Sequence, residues 1–135
     1  MVTTKRFYIA GSFKQLPTIT AVATNLVAQG LTQTYDWTKV KPTPDLAALR
    51  EIATAEYAGV TACDCFVFIF PGGKGANVEF GIATALNKPI YMLDTTNQRL
   101  LQVPFIVWRM CISFVVQRPR LLTTLCNWRL KDEMG

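Results

Sequence analysis

Apolar positions recur along this chain in two alternating rhythms, short runs of strand length and longer stretches at helical spacing. Arg6 to Ala10 (RFYIA) is a compact apolar and aromatic run closed by Gly11 and Ser12, which predicts a strand ending in a turn. Leu16, Ile19, Val22, Ala23, Leu26 and Val27 then repeat at helical spacing as far as Gly30, a natural C-terminal stop. Leu31 to Trp37 (LTQTYDW) has the pattern of a second strand running into a loop with Pro42 and Pro44. Leu46, Leu49, Ile52, Ala53 and Glu56 resume the helical period to about Ala62. Cys65 to Phe70 (CFVFIF) is continuously apolar, as a central parallel strand covered on both faces must be, and it meets a glycine-rich turn at Pro71 to Gly75. Asn77 to Leu86 predicts a further helix and Pro89 to Leu93 a further strand. Beyond Asp94 the pattern weakens to one strand between Phe105 and Val116 and a short helix from Leu121 to Leu130.

Strands alternating with single helices, without internal repeats, call for a doubly wound α/β fold: a Rossmann-like, flavodoxin-like parallel sheet of about five strands with helices on both faces. Residues 1–135 are the length of one domain. Half of them are hydrophobic and 17% are charged, which fits an ordered globular chain.

The formal charge of +5 changes this picture little, because Lys and Arg are scattered rather than gathered into a stripe, although Arg99, Arg109, Arg118, Arg120, Arg129 and Lys131 concentrate in the last third. Small anions are favoured as partners over nucleic acid. Histidine is absent, and the four cysteines (Cys63 and Cys65 about Asp64, then Cys111 and Cys126 alone) do not make a zinc pattern. No stretch reads as a secretion signal, so the expectation is a reducing cytoplasm with buried, unbridged thiols. The apolar run from Leu100 to Val116 is interrupted by Gln102, Pro104 and Arg109, and reads as a buried strand or subunit contact rather than a membrane span.

Ligands of an open parallel sheet bind beyond the carboxyl ends of its strands. Here that selects Gly11 and Ser12, Tyr35 to Thr38, Pro71 to Glu79, and Asp94. In PGGKGANVEFG the glycines let backbone approach a phosphate or sugar, yet the spacing is neither that of a Walker loop nor that of the dinucleotide fingerprint. Glu79, placed in the first turn of the predicted helix, reads either as a carboxylate facing the crevice or as a helix-dipole partner in water. Glycoside chemistry needs a second carboxyl group. Glu56 on the helix before the central strand is a candidate, with a solvated role as the alternative, whereas Asp64 opens the strand at the far end and reads as structural.

Taken together and in order, FYIAGSF, TYDWT, EYAGVTACD and PGGKGANVEFGIATALNKPIY resemble the nucleoside 2-deoxyribosyltransferases and the related nucleotide N-glycosidases, over about two thirds of the chain. The resemblance implies that Glu79 is a nucleophile at the anomeric carbon, forming a covalent glycosyl-enzyme that another base or water resolves. It implies that Glu56, standing where the family usually has Asp, orients the sugar or the nucleophile. Tyr8 matches an aromatic residue of the sugar pocket. Ser12, with Gly11 in the same turn, matches a contact to a 5′-phosphate, and Gly72, Gly73, Lys74, Gly75 and Asn77 belong to the same binding turn. Asp36 and Trp37 fall where the base would approach, with Trp37 equally suited to the core. The substrate so implied is a small nucleoside or nucleoside monophosphate, 2-deoxy for ease of charge development, with neither metal nor organic cofactor required. A homo-oligomer is also implied, since members draw a further site residue from a neighbouring subunit. Asn97, Gln98 and Asn127 are unsupported candidates for that residue, and Val103 to Val116 would bury against the neighbour.

Two other readings compete. PGGKGANVE looks like the phosphoribohydrolase motif PGGxGTxxE with Ala76 in place of Thr. A non-catalytic nucleotide sensor would keep the glycine turn, but has less use for both Glu79 and Glu56.

Overall fold

Cys65–Phe70 forms β3, and every residue but the last is buried, as CFVFIF requires in a strand with no polar position to turn toward water. The computed structural model describes residues 5–94 and 113–116. Within them β3 is the middle of a five-stranded sheet ordered β2-β1-β3-β4-β5, with β1 at Arg6–Ala10, β2 at Thr32–Gln33, β4 at Ile90–Asp94 and β5 at Ser113–Val116. All four neighbouring pairs are parallel, in registers such as Tyr8 beside Phe66 and Phe68 beside Met92. This is the flavodoxin-like doubly wound order expected from the sequence, and its winding reverses between β1 and β3. The carboxyl ends of those two strands therefore border the natural ligand crevice.

Helix α1 spans Leu16–Ala28, α2 Leu46–Ala62 and α3 Lys74–Ala85. Right-handed crossovers in this strand order put α1 on one face and α2 and α3, which pack on each other, on the other. Strand alternation divides the core accordingly. Ile69 approaches Ile19 of α1 around Gly11, where an added Cβ would stand 2.7 Å from Ile19 Cδ1 and 3.2 Å from Ile69 Cβ. On the α2/α3 face Tyr8 stacks with Phe66, ring centroids 5.8 Å apart, and Phe68 meets Phe80 of α3 edge to face at 5.3 Å. Burying side chains of this size contributes roughly 1.5–3 kcal/mol each before ordering costs.

The ends of the elements have local causes. Gly30 takes φ 94 just past α1, as its place at the predicted stop requires. The Asp45 carboxylate accepts from Ala48 N and caps α2. Asp64 accepts from Arg6 N at 2.8 Å and pairs with Arg6 Nε at 3.4 Å, tying β1 to β3 at their amino ends, far from the crevice.

Two elements differ from the sequence reading. The second strand is only two residues long. Beyond it the Thr34 hydroxyl donates to Gly59 O of α2 at 2.8 Å, and Asp36 caps a 3-10 turn at Trp37–Lys39, so local side-chain bonding ends the ladder before Trp37. Helix α3 begins at Lys74 instead of Asn77, with Gly73 as its extended N-cap. The predicted helix from Leu121 to Leu130, the candidates Asn97, Gln98 and Asn127, the cysteines Cys111 and Cys126 and the basic residues of the last third lie outside the described residues. Cys63 and Cys65 are buried and unbridged. Burial pushes the Cys63 thiol up to about 11, so it is an inert core group. Among the described residues, no helix is long and apolar enough to cross a membrane, and no group of three His, Cys, Asp or Glu gathers as metal ligands would.

Candidate active site

The earlier start of α3 changes what Glu79 is. Its first turn holds no acidic residue, and Glu79 stands in the second turn, on the inward stripe of Ala76, Phe80, Ala83 and Thr84. Glu79 therefore occupies a position that helical spacing assigns to the core, and it is 7% exposed. The helix-dipole alternative loses its basis. The side chain leans back toward the helix N-terminus, bringing Oε1 to 3.8 Å from where a Cβ on Gly75 would stand. Beside it stands Tyr8, part of an aromatic wall with Phe66, Phe68 and Phe80.

That wall sets the electrostatics. Burial, acting first, raises the Glu79 carboxyl to about 7, with the nearby Tyr8 hydroxyl lowering it and the Glu56 carboxylate raising it again. Burial also raises Tyr8 far above the ordinary phenol range, with the charge of Glu79 next, so Tyr8 stays a neutral donor. The two groups are close enough to polarise one another. Even so, Tyr8 Oη and Glu79 Oε2 are both buried without a hydrogen-bond partner of full geometry. Each such group costs about 1–3 kcal/mol, a local cost that the fold carries at this pair.

Glu56 comes to the same place from α2. It is half-buried on the helix face that carries Gly59 and Val60 inward, and burial raises its carboxyl above the ordinary value. Tyr35 joins the cluster from the loop after β2. A Cβ on Gly59 would stand 2.9 Å from Tyr35 Cβ and 3.1 Å from the Tyr8 ring, so the missing side chain is what lets both tyrosines lie against α2. The sequence places Tyr35 in a crevice loop but assigns it nothing. Its signal was an aromatic residue two positions beyond the end of β2.

At the mouth, Ser12 and Gly73 bring the turns after β1 and β3 together, since a Cβ on Gly73 would meet Ser12 Cβ at 3.8 Å. Ser12 is half-buried, while Lys74, Gly75 and Asn77 are exposed along the first turn of α3. Gly72 is a packing glycine: a Cβ there would stand 2.7 Å from Ala76 Cβ and 2.9 Å from Phe68 Cζ.

Asp36 and Trp37 lie apart from this cluster. Trp37 is in the core with its Nε1 donating to Ile9 O at 2.7 Å, and its ring meets Phe13 edge on at 5.2 Å. Trp37→Phe is expected to lower stability by about 1–3 kcal/mol, because it removes the donor to a buried carbonyl; an unchanged unfolding midpoint in denaturant would contradict this packing role. Asp36 accepts from Thr38 N and Thr38 Oγ1 and pairs with Lys39 at 3.9 Å. Together with Ile19, Ala23, Thr24 and Lys39 it lines an open cleft of about 350 Å³ beside α1. Neither Glu79 nor Glu56 lines that cleft, and the Asp36 carboxylate is already engaged.

A buried carboxyl, a half-buried one and a phenol thus lie together near the switch point of the doubly wound sheet. The family model of nucleoside 2-deoxyribosyltransferases matches residues 7–129, and the chain belongs to that family, a family of enzymes that transfer or release glycosyl groups. Among solved structures, a CMP N-glycosidase of Clostridium botulinum, BcmB, is similar with a TM-score of 0.63 at 18% identity, covering 90% of this chain and 98% of that one. The solution structure of BlsM is similar with a TM-score of 0.61 at 23% identity, covering 87% of this chain and 83% of that one. At these identities the two likenesses speak for the fold. No curated protein matches the chain.

Proposed function

We propose that the protein cleaves the N-glycosidic bond of (2-deoxy)nucleosides or their 5′-monophosphates, passing the deoxyribosyl group through Glu79 to another base or to water. The observation that carries this reading is the buried Glu79 carboxyl whose Oε2 lacks a partner beside the equally unpartnered Tyr8 hydroxyl. In the first step the Glu79 carboxylate attacks the anomeric carbon as the bond to the base breaks. The bonding electrons leave with the base, which takes up a proton. In the second step water or an incoming base attacks the same carbon, gives up a proton and frees the carboxylate. Tyr8 donates to the oxygen of Glu79 that does not attack, fixing the other for attack. Glu56 binds a sugar hydroxyl and, being negative, favours positive charge developing on the ring.

Ser12, Gly73 and the exposed first turn of α3 with Lys74 suit a 5′-phosphate, since helix N-terminal amides and an ammonium both favour an anion. Gly11 and Gly72 keep the two turns close, and Gly75 and Asn77 border the opening over Glu79. In this reading Asp36 shapes the loop after β2 through its bonds to Thr38, and Trp37 supports that loop from beneath. As in the family, a neighbouring subunit completes the site. The similarity to a CMP N-glycosidase makes a pyrimidine monophosphate the first substrate to try.

Incubation with deoxynucleosides and with their monophosphates, each with and without a second free base, separates the outcomes. Release of base alone identifies a hydrolase, and exchange of base a transferase. Turnover of none of them would remove the reading. Because the nucleophile must be ionised and its carboxyl is raised to about 7, kcat/KM is expected to climb with pH up to about 7 and then level. A flat profile between about pH 5 and 8 would show that the raised carboxyl is not the reacting group.

A further inference from the structure

Exposed apolar side chains are gathered on one side of this protein. Among the described residues seven large hydrophobics stand exposed, and five of them, Leu46, Leu49, Tyr57, Val78 and Leu86, lie on α2 or on α3 and its C-cap. On α2 Leu46, Leu49, Ala53 and Tyr57 follow one another at three, four and four residues and form one exposed stripe. The stripe borders the α3 side of its helix, because Ala53 lies one turn before Glu56, whose carboxylate reaches Glu79 of α3. On α3 Val78, Gly81 and Ala85 make a second exposed stripe, and Lys74 is the only charged residue this helix exposes. The outer face of a helix in water ordinarily carries charge. The two helices pack on each other over the same face of the sheet, so the stripes adjoin.

Size and charge indicate what covers this surface. From their lengths and diameters, α2 and α3 together present a patch of about 25 by 20 Å, on the order of 500 Å² in projection and more in accessible area. This approaches the roughly 800 Å² per partner of a stable subunit contact. The chain carries a formal charge of +5, so its surface as a whole repels a copy of itself, whereas α2 and α3 expose only Arg50, Glu51 and Lys74 as charged residues. Gly81 and Ala85 have no bulk to hold another helix away, and helices meet ridge into groove. We propose that a second copy of this chain packs on this face, the two α2/α3 pairs meeting across a two-fold axis. The contact borders the site, since Gly75 is exposed at the start of α3 and Glu79 Oε1 stands 3.8 Å from where its Cβ would be. It is therefore the surface that brings a neighbouring subunit to the site in the glycosidase reading, and only that consequence rests on that reading.

The test is analytical ultracentrifugation of the wild-type protein, Gly81→Arg and Val78→Glu, with Val27→Glu on α1 as a charge placed on another exposed apolar position. Gly81 suits the purpose because a Cβ added there meets nothing within 4 Å, and arginine favours a helix more than glycine does. Gly81→Arg is therefore expected to fold as the wild type does, by circular dichroism, and any loss of association comes from the partner. The wild type is expected to be a dimer at about 10 µM, and Gly81→Arg and Val78→Glu to raise its dissociation constant by at least about a hundredfold. Val27→Glu should leave it unchanged. A wild type that is monomeric from about 1 to 100 µM would overturn the proposal and give the face to another occupant. Undiminished association of Gly81→Arg and Val78→Glu would overturn it too, by placing the contact elsewhere, as would equal dissociation by Val27→Glu. Sedimentation needs no substrate. The glycosidase reading fails separately, if the wild-type dimer releases no base.

Discussion

Glu79→Gln is expected to lower kcat for base release by at least about 10⁴-fold while leaving the fold intact. The amide has the shape of the carboxyl but cannot form the ester to the anomeric carbon, so the covalent route is lost rather than slowed. Binding should survive better than turnover, because Tyr8, Glu56 and the mouth formed by Ser12 and Gly73 are untouched. KM is therefore expected to change by less than about tenfold. Steady-state measurement on the best substrate, with circular dichroism to check folding, separates these effects. Retention of more than about a hundredth of wild-type kcat would mean that Glu79 contributes only charge or position.

The same substitution is expected to stabilise the protein, in a manner that depends on pH. Burial holds the Glu79 carboxyl at about 7 in the folded chain, against an ordinary value near 4.5. Below about pH 4.5 the group is protonated whether the chain is folded or not, and it favours neither state. As the pH rises, the unfolded chain releases its proton first while the folded chain retains it until about 7. Stability is therefore lost progressively across that window and is constant above it. The loss is on the order of 3 kcal/mol, reduced to the extent that Tyr8 turns to meet the charge. Glutamine carries no charge and escapes it. Denaturant unfolding of both proteins at about pH 4 and pH 8 should show the variant gaining on the wild type by that order at the higher pH. An equal difference at both values would mean that Glu79 is not a buried ionising group. A residue whose removal stabilises the fold is one retained for activity, in keeping with the general opposition of the two at functional sites.

The sequence predicts the sheet well where an element is bounded by its own chemistry. RFYIA stops at Gly11, CFVFIF stops at Pro71, and the first helix ends at Gly30, which takes the left-handed conformation expected of it. It misplaces elements where a side chain from elsewhere decides. LTQTYDW has strand composition, but the Thr34 hydroxyl turns to Gly59 O and the Asp36 carboxylate to Thr38 N, bonds to a distant helix and to a local turn that no periodicity shows. Helix α3 starts three residues early because Gly73 caps it in an extended conformation and the helix tolerates Gly75 in its first turn. Three residues are most of a turn, enough to move Glu79 from the predicted first turn into the second, while its place on the stripe with Ala76, Phe80 and Ala83 follows from helical spacing.

The site divides in the same way. The meeting of Glu56 and Glu79 was legible through the ordered motifs, and composition alone left either one as a surface residue. Trp37 was open between the base and the core, and its bond to Ile9 O places it in the core. Tyr35 is not legible in the sequence because its position depends on a gap at Gly59, which lies 24 residues further along and reads there only as a weak point in a helix.

The covalent role of Glu79 is tested most directly by trapping. A 2-deoxy-2-fluoro nucleoside and its 5′-monophosphate carry an electron-withdrawing fluorine that slows formation and breakdown of a glycosyl-enzyme, and proteolysis followed by mass spectrometry locates the adduct. The expected result is one deoxyfluoroglycosyl group on the peptide containing Glu79, absent from Glu79→Gln. Base release from the wild-type protein with the label on another residue, or with no label under conditions where turnover is slow enough to accumulate one, would contradict it.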